Sequence, residues 1–264
     1  MNEFMLLDAA IWQEAPQFDA LVRTANAVPL YADLPSSNAS RFGPWLLEAE
    51  AFASCFSGDE MNEMPWRYGV SRLLTDVSLA SLAMHLESQR SIEMEEGDRY
   101  YLRYADTRAL DTLARVLSPD QVQQLKGPVR HWRYMDRFGE SREFGAGIPA
   151  DSRRHPVIVL SGKQSVRLLE QQLAAALADE LSAGSGDPAY PSLSAEQYPH
   201  VEAAAVFVLM HGIEPLDVQR NITTAAIETD GAVLTDSRLL TQVEQSRALG
   251  QWSELMNWLV ASKN

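Results

Sequence analysis

RYYLRYADTRALDTLARVLSPDQVQQLKGPVRHWRYMD, residues 99–136, packs a strand, two capped helices and a second strand into one run. Arg99–Ala105 and Val129–Asp136 are rich in Tyr, Val and Trp, the side chains that suit a half-buried pleated surface. Alternation puts Tyr101, Arg103 and Ala105 on one face of the first strand and Tyr100, Leu102 and Tyr104 on the other. Asp106 stands where a carboxylate can accept from the free N–H groups of a first helical turn, and Leu110, Leu113, Ala114 and Leu117 then form the buried stripe. Ser118-Pro119-Asp120-Gln121 is a capping box with proline at the first helical position, and Gly127-Pro128 is its stop signal.

The same signals extend to both sides. Upstream strands are predicted at Phe4–Ala9, Ala27–Ala32, Trp45–Glu48, Tyr68–Leu73 and Ser91–Glu95, with a hairpin turn at Gly97-Asp98. Leu79, Leu82, Ala83 and Leu86 follow helical spacing and leave His85 off the stripe. Downstream, Pro156–Leu160 reads as a short buried run leading into a long helix with Val166, Leu169, Leu173, Leu177 and Leu181 on one stripe. Gly184-Ser185-Gly186-Asp187-Pro188 reads as a flexible connection. Tyr198–His211, Leu216–Glu228, Ser237–Leu249 and Gln251–Ala261 are predicted helices. The expected fold is therefore α/β of the α+β kind, with a mixed sheet and helices in an N-terminal lobe, 1–150, and an all-helical lobe, 151–264.

Composition narrows the function. The 264 residues carry 22 Lys+Arg against 36 Asp+Glu, a net charge of −14, with one cysteine. That cysteine, Cys55, has no disulfide partner in the chain, which suits a reducing compartment. The first eight residues lack the basic n-region of a signal peptide, and the longest apolar run, Ala203–Met210, is too short to span a bilayer. A cytoplasmic protein without a membrane anchor is expected. Leu160-Ser161-Gly162-Lys163-Gln164-Ser165 resembles the end of a phosphate loop, but the required earlier glycine is Val157, and Ser161 with Gln164 makes a capping box instead. The five histidines form no His-Glu-x-x-His or comparable ligand pair, and no Gly-x-Ser-x-Gly elbow exists, so no catalytic residue, metal or cofactor is assigned.

One segment departs from this acidic background. Residues 99–142 hold nine Lys/Arg against five Asp/Glu, a local excess of four positive charges that leaves −18 for the rest. Tyr100, Tyr101, Tyr104, Trp132, Tyr134 and Phe138 lie among these cations, and Arg with Tyr and Trp is the composition of interface hot spots. Tyr101, Arg103, Arg130, Trp132, Arg133 and Tyr134 are the candidate partner-binding residues. A solvated sheet edge with locally paired arginines is the plain alternative. Two further readings are an enzyme, a hydrolase or transferase using Ser71, His85 or Cys55 between the lobes, and a single-stranded nucleic-acid platform. The surrounding −18 disfavours the latter.

Across the N-terminal lobe the chain resembles the type VI secretion effector chaperone/adaptor family, filed as domain of unknown function 4123 and called Tap or Tec proteins. The resemblance rests on Leu7-Asp8-Ala9-Ala10, Pro29-Leu30-Tyr31, Gly43-Pro44-Trp45-Leu46-Leu47, Ser71, Leu82-x-x-His85-Leu86 and Gly97-Asp98. It continues through Arg103-Tyr104-Ala105-Asp106-Thr107-Arg108-Ala109-Leu110, Gln121 and Gly127-Pro128-Val129. The family often has Asp-Pro-Arg where this chain has Asp106-Thr107-Arg108, a change that keeps the cap. The resemblance implies a non-enzymatic bacterial adaptor that binds the N-terminal region of a toxic effector and helps load it onto a VgrG spike. It also implies structural roles for Asp8, Gly43, Pro44, His85, Arg103, Asp106, Arg108, Gly127 and Pro128, with Arg103 and Arg108 paired to Asp8 or Asp106.

Overall fold

Nine strands form two sheets in the computed structural model, which describes residues 1–24, 26–34, 39–56, 66–147, 157–183 and 193–261. They are β1 (Asn2–Asp8), β2 (Val28–Pro29), β3 (Pro44–Glu48), β4 (Val70–Thr75), β5 (Ser91–Met94), β6 (Arg99–Tyr101), β7 (Val129–Met135), β8 (Ser141–Glu143) and β9 (Ile158–Leu160). A six-stranded sheet has the order β2-β3-β1-β4-β7-β8, and a three-stranded one the order β6-β5-β9. Every pairing in the larger sheet is antiparallel. In the smaller sheet β5 pairs antiparallel with β6, through the Gly97 turn, and parallel with β9.

Burial on both faces explains the unbroken apolar run Phe4–Leu7 within β1. Met5, Leu7, Leu47 and Val70 share one face and pack against Trp12, Phe18, Leu21, Phe52 and Phe56. Phe4, Leu6, Leu73, Trp132 and Tyr134 share the other face and are buried too. There the Tyr134 hydroxyl donates to Asp111 Oδ1 (3.0 Å) on the helix Thr107–Val116. Both expected caps are present: Asp106 accepts from Arg108 N, and Ser118 and Gln121 exchange hydrogen bonds at the start of Pro119–Lys126.

Three strands differ from the sequence reading. Only Val28–Pro29 of Ala27–Ala32 pairs, since proline has no N–H to extend the ladder. Trp66–Gly69 forms a 3-10 turn, so the following strand starts at Val70. The Arg99–Ala105 strand stops at Tyr101, where the chain turns towards the Asp106 cap and the Leu102 carbonyl accepts the Tyr31 hydroxyl.

The chain divides into two compact units, Met1–Ser165 and Val166–Asn264. Parallel pairing with β5 keeps β9 in the first unit. The 150/151 boundary, Pro156 and the Gly184–Pro188 connection lie outside the described residues. In the second unit the helices Tyr198–Met210, Leu216–Glu228, Ser237–Leu249 and Ser253–Ala261 enclose Val208, Val218, Ile222, Leu239, Val243, Leu255 and Leu259, with Trp252, Met256 and Trp258 packed against this core. Asp236 caps Ser237–Leu249 at its start, and Gly250 ends it in the left-handed conformation. No described helix is long and apolar enough to cross a membrane.

Candidate partner-binding surface

Beneath the candidate surface lies a network of two carboxylates and two guanidinium groups. Asp8 ends β1 and caps the next helix by accepting from Ala10 N (2.9 Å). Arg103 Nη2 donates to Asp8 Oδ2 (3.0 Å) and stands 3.5 Å from Asp106 Oδ2. Arg108 holds the same Asp106 with both prongs, Nε to Oδ1 at 3.1 Å and Nη2 to Oδ2 at 3.0 Å. Both carboxylates are buried, whereas the Arg103 side chain is 57% exposed. Burial lifts the Asp8 carboxyl above its ordinary pKa, and the Arg103 guanidinium pulls it part of the way back. Arg103 thus ties β1 to the start of the helix Thr107–Val116, across 95 residues of sequence.

The other motif residues also touch structure. Gly43 O accepts from Ala9 N (3.3 Å), and a Cβ at Gly43 would lie 2.4 Å from Ala39 O. Pro44 sits opposite Asp8 in the ladder, and its carbonyl accepts from Leu30 N (2.9 Å). His85 Nε2 donates to Leu125 O (3.1 Å) and lies over Gly127, where φ is +53° and a Cβ would come within 2.1 Å of the ring. Pro128 O accepts from Thr75 Oγ1 (2.7 Å). Burial lowers the His85 pKa, against the opposing effect of the Leu125 bond.

The six candidate partner-binding residues separate into three groups. Tyr101 is exposed on β6, an edge strand on which Tyr100 and Tyr101 are 52% and 58% accessible. The bonds Met94 N to Asp98 O and Leu102 N to Arg90 O set the ladder's alternation, so the N–H and C=O groups of Arg99 and Tyr101 point away from β5, to the side where no strand of the described residues pairs. Tyr101 is backed by a chain of rings: Tyr31 at 6.2 Å, then Tyr104 edge-on at 6.2 Å, Trp132 at 6.3 Å and Phe144 at 5.3 Å. The Tyr104 hydroxyl donates to Leu86 O (3.0 Å), which fixes the middle of this chain. Beside it, Arg103 exposes part of a guanidinium whose other side is held by Asp8.

Arg130 and Arg133 form the second group, on the solvent face of β7. Arg130 pairs with Asp76. Arg133 lies directly opposite Arg72 and next to Glu143 in the ladder, and no hydrogen bond or ion pair joins its side chain to a described residue. Trp132 and Tyr134 are the third group, and they correct the sequence reading: both are buried on the opposite face of β7, and so cannot serve as surface anchors. Composition placed them with the arginines, but the pleat turns them into the core.

Tyr31 was missed as the buried support of this surface: the Pro29-Leu30-Tyr31 motif marked it without giving it a role. Tyr100 was placed on the strand face opposite Tyr101 and left out of the six candidates. The enzyme candidates do not converge. Ser71 is buried with Leu6 and Tyr134 on one face of the large sheet, and its hydroxyl has no hydrogen-bond partner among the described residues. Cys55 packs with the Trp12 cluster on the other face, and His85 Nε2 is held at Leu125. Among the described residues, no group of three or more His, Cys, Asp or Glu is placed to hold a metal ion.

No curated protein and no solved structure matches the chain. A family model does: residues 4–124 match the family described as domain of unknown function DUF4123. The match runs from β1 through the Asp8, Arg103, Asp106 and Arg108 network into the helix after Ser118, so it covers the residues that carry the sequence resemblance except Gly127-Pro128-Val129. Residues 4–124 are therefore a DUF4123 domain, the family known as the Tap/Tec type VI secretion effector adaptors.

Proposed function

We propose that the chain is a non-enzymatic adaptor of the cytoplasm, which binds the N-terminal region of one toxic effector and helps load it onto a VgrG spike for export. The observation that carries this reading is the open β6 edge within a DUF4123 domain. β6, three residues long and carrying Arg99, presents Tyr100 and Tyr101, amphipathic anchors of the kind enriched at interfaces, with the Tyr101 ring backed by buried Tyr31 and Tyr104. An extended effector segment would add as a strand, taking its main-chain bonds from Arg99 and Tyr101 and its side-chain contacts from the two tyrosines and Arg103.

The test is isolation of the tagged chain from a bacterium that carries it, beside a Tyr100→Ser/Tyr101→Ser variant of unchanged melting temperature. The wild type should retain one toxin and the spike protein, and the variant should lose the toxin. Equal toxin recovery by both would contradict the β6 assignment, and recovery of neither protein would contradict the adaptor reading.

A further inference from the structure

One face of the large sheet is covered over only part of its width. The Trp12 cluster packs on Met5, Leu7, Leu47 and Val70, while further across the same face, on β4 and β7, Arg72, His131 and Arg133 are exposed. The ladders fix their neighbours. Arg133 stands directly between Arg72 on β4 and Glu143 on β8, and Leu74 lies opposite His131 in the adjacent row. Leu74, and Met135 two residues along from Arg133, are half-buried on this face, so apolar surface accompanies the charges.

The polar groups specify the occupant. Arg72 pairs with Glu3, and Arg130, at the register shift, pairs with Asp76. Glu143, the acid nearest Arg133 in the ladder, instead accepts from His131 Nδ1 (2.8 Å). Arg133 is left with a donor fork that has no acceptor among the described residues and with a like charge directly across the ladder, an arrangement that costs stability. Three arginines and three carboxylates balance this face as a whole, so an extended polyanion gains little on it. A second copy docked through the same face would set arginine against arginine. A single carboxylate fits: it accepts both prongs of Arg133 and screens Arg133 from Arg72. We propose that this face docks a partner polypeptide through one Asp or Glu seated on Arg133, with large apolar neighbours of that acid lying over Leu74 and Met135. This inference does not depend on what binds at β6.

The probe is a fluorescent 14-residue amphipathic peptide of leucine and glutamate, titrated into the full chain by anisotropy, with a leucine/glutamine peptide for comparison. The chain's net charge of −14 opposes the glutamate peptide in general, so its capture marks a specific site. The glutamate peptide should bind, and the glutamine peptide about tenfold or more weaker. Arg133→Ala should weaken capture of the glutamate peptide by a similar factor, and Arg133→Glu should abolish it. Arg23→Glu, the same charge change at an exposed arginine of the helix Phe18–Thr24, should leave it within twofold. No binding of the glutamate peptide, equal binding of the glutamine peptide, or binding that survives Arg133→Ala within twofold would overturn the inference. So would a concentration-dependent dimer of the chain that Arg133→Glu dissolves, or tighter binding of a single-stranded oligonucleotide that Arg133→Ala removes.

Discussion

Removing the Arg103 guanidinium strands a buried carboxylate. In Arg103→Ala, Asp106 keeps both prongs of Arg108, but Asp8 retains only the Ala10 N–H. Breaking a buried pair costs about 3–5 kcal/mol, and because Arg103 is half exposed, water replaces part of its effect, so the expected loss at pH 7 is about 1–3 kcal/mol. The loss depends on pH, with a sign that follows from Asp8. Its folded pKa already lies above the unfolded value, so its contribution to stability is fully present below the unfolded value near 3.9 and is lost as pH rises through the folded one. Without Arg103 the folded pKa rises further and the penalty at neutral pH grows. Wild type and variant should therefore converge as pH falls towards about 4 and diverge towards 7. Urea unfolding at pH 4, 5.5 and 7 measures this, with Asp8→Asn/Arg103→Ala as the companion variant. The double variant should lose less than the sum of the single losses. A pH-independent loss in Arg103→Ala, or strict additivity, would refute the electrostatic role.

Gly127→Ala should cost about 2–4 kcal/mol, from a positive φ together with displacement of the His85 ring. His85→Ala should recover part of that cost in the double variant, as measured by equilibrium unfolding. Since the folded His85 pKa is lowered, stability should fall as pH drops below the unfolded value of about 6.5, and His85→Gln should reduce this slope between pH 7 and 5. Trp132→Ala should destabilise by about 3–5 kcal/mol as a core truncation, whereas Arg133→Glu should leave the melting temperature within a degree or two. Tyr100→Ser/Tyr101→Ser should change stability by less than about 1 kcal/mol while removing effector capture.

Much of the first unit was legible because its signals are local. Asp106 and Ser118 announce their helices within four residues, and Gly97 announces the β5–β6 turn. The ends of strands were less legible, since a distant group sets them: β6 stops where Tyr31, 71 residues away in sequence, takes the Leu102 carbonyl. Composition detected a concentration of Arg and aromatic residues between 99 and 142, but it carries no direction, so it grouped buried Trp132 and Tyr134 with exposed Arg133. Alternation along β7 was also disturbed, because a register shift beside Thr75 leaves Arg130 and His131 both facing solvent. The ring chain from Tyr101 to Phe144 joins residues far apart in sequence, and no local pattern contains it. In the second unit the helices were clear from periodicity.

The central claim is that this chain is required for the export of one effector, through its β6 edge. The direct measurement is secretion in a bacterium carrying the gene with its type VI apparatus active, comparing a deletion strain complemented with wild type or with Tyr100→Ser/Tyr101→Ser. The account predicts that deletion stops export of one toxin while the apparatus still fires, and that wild type but not the variant restores it. Export of every effector unchanged in the deletion strain would contradict it.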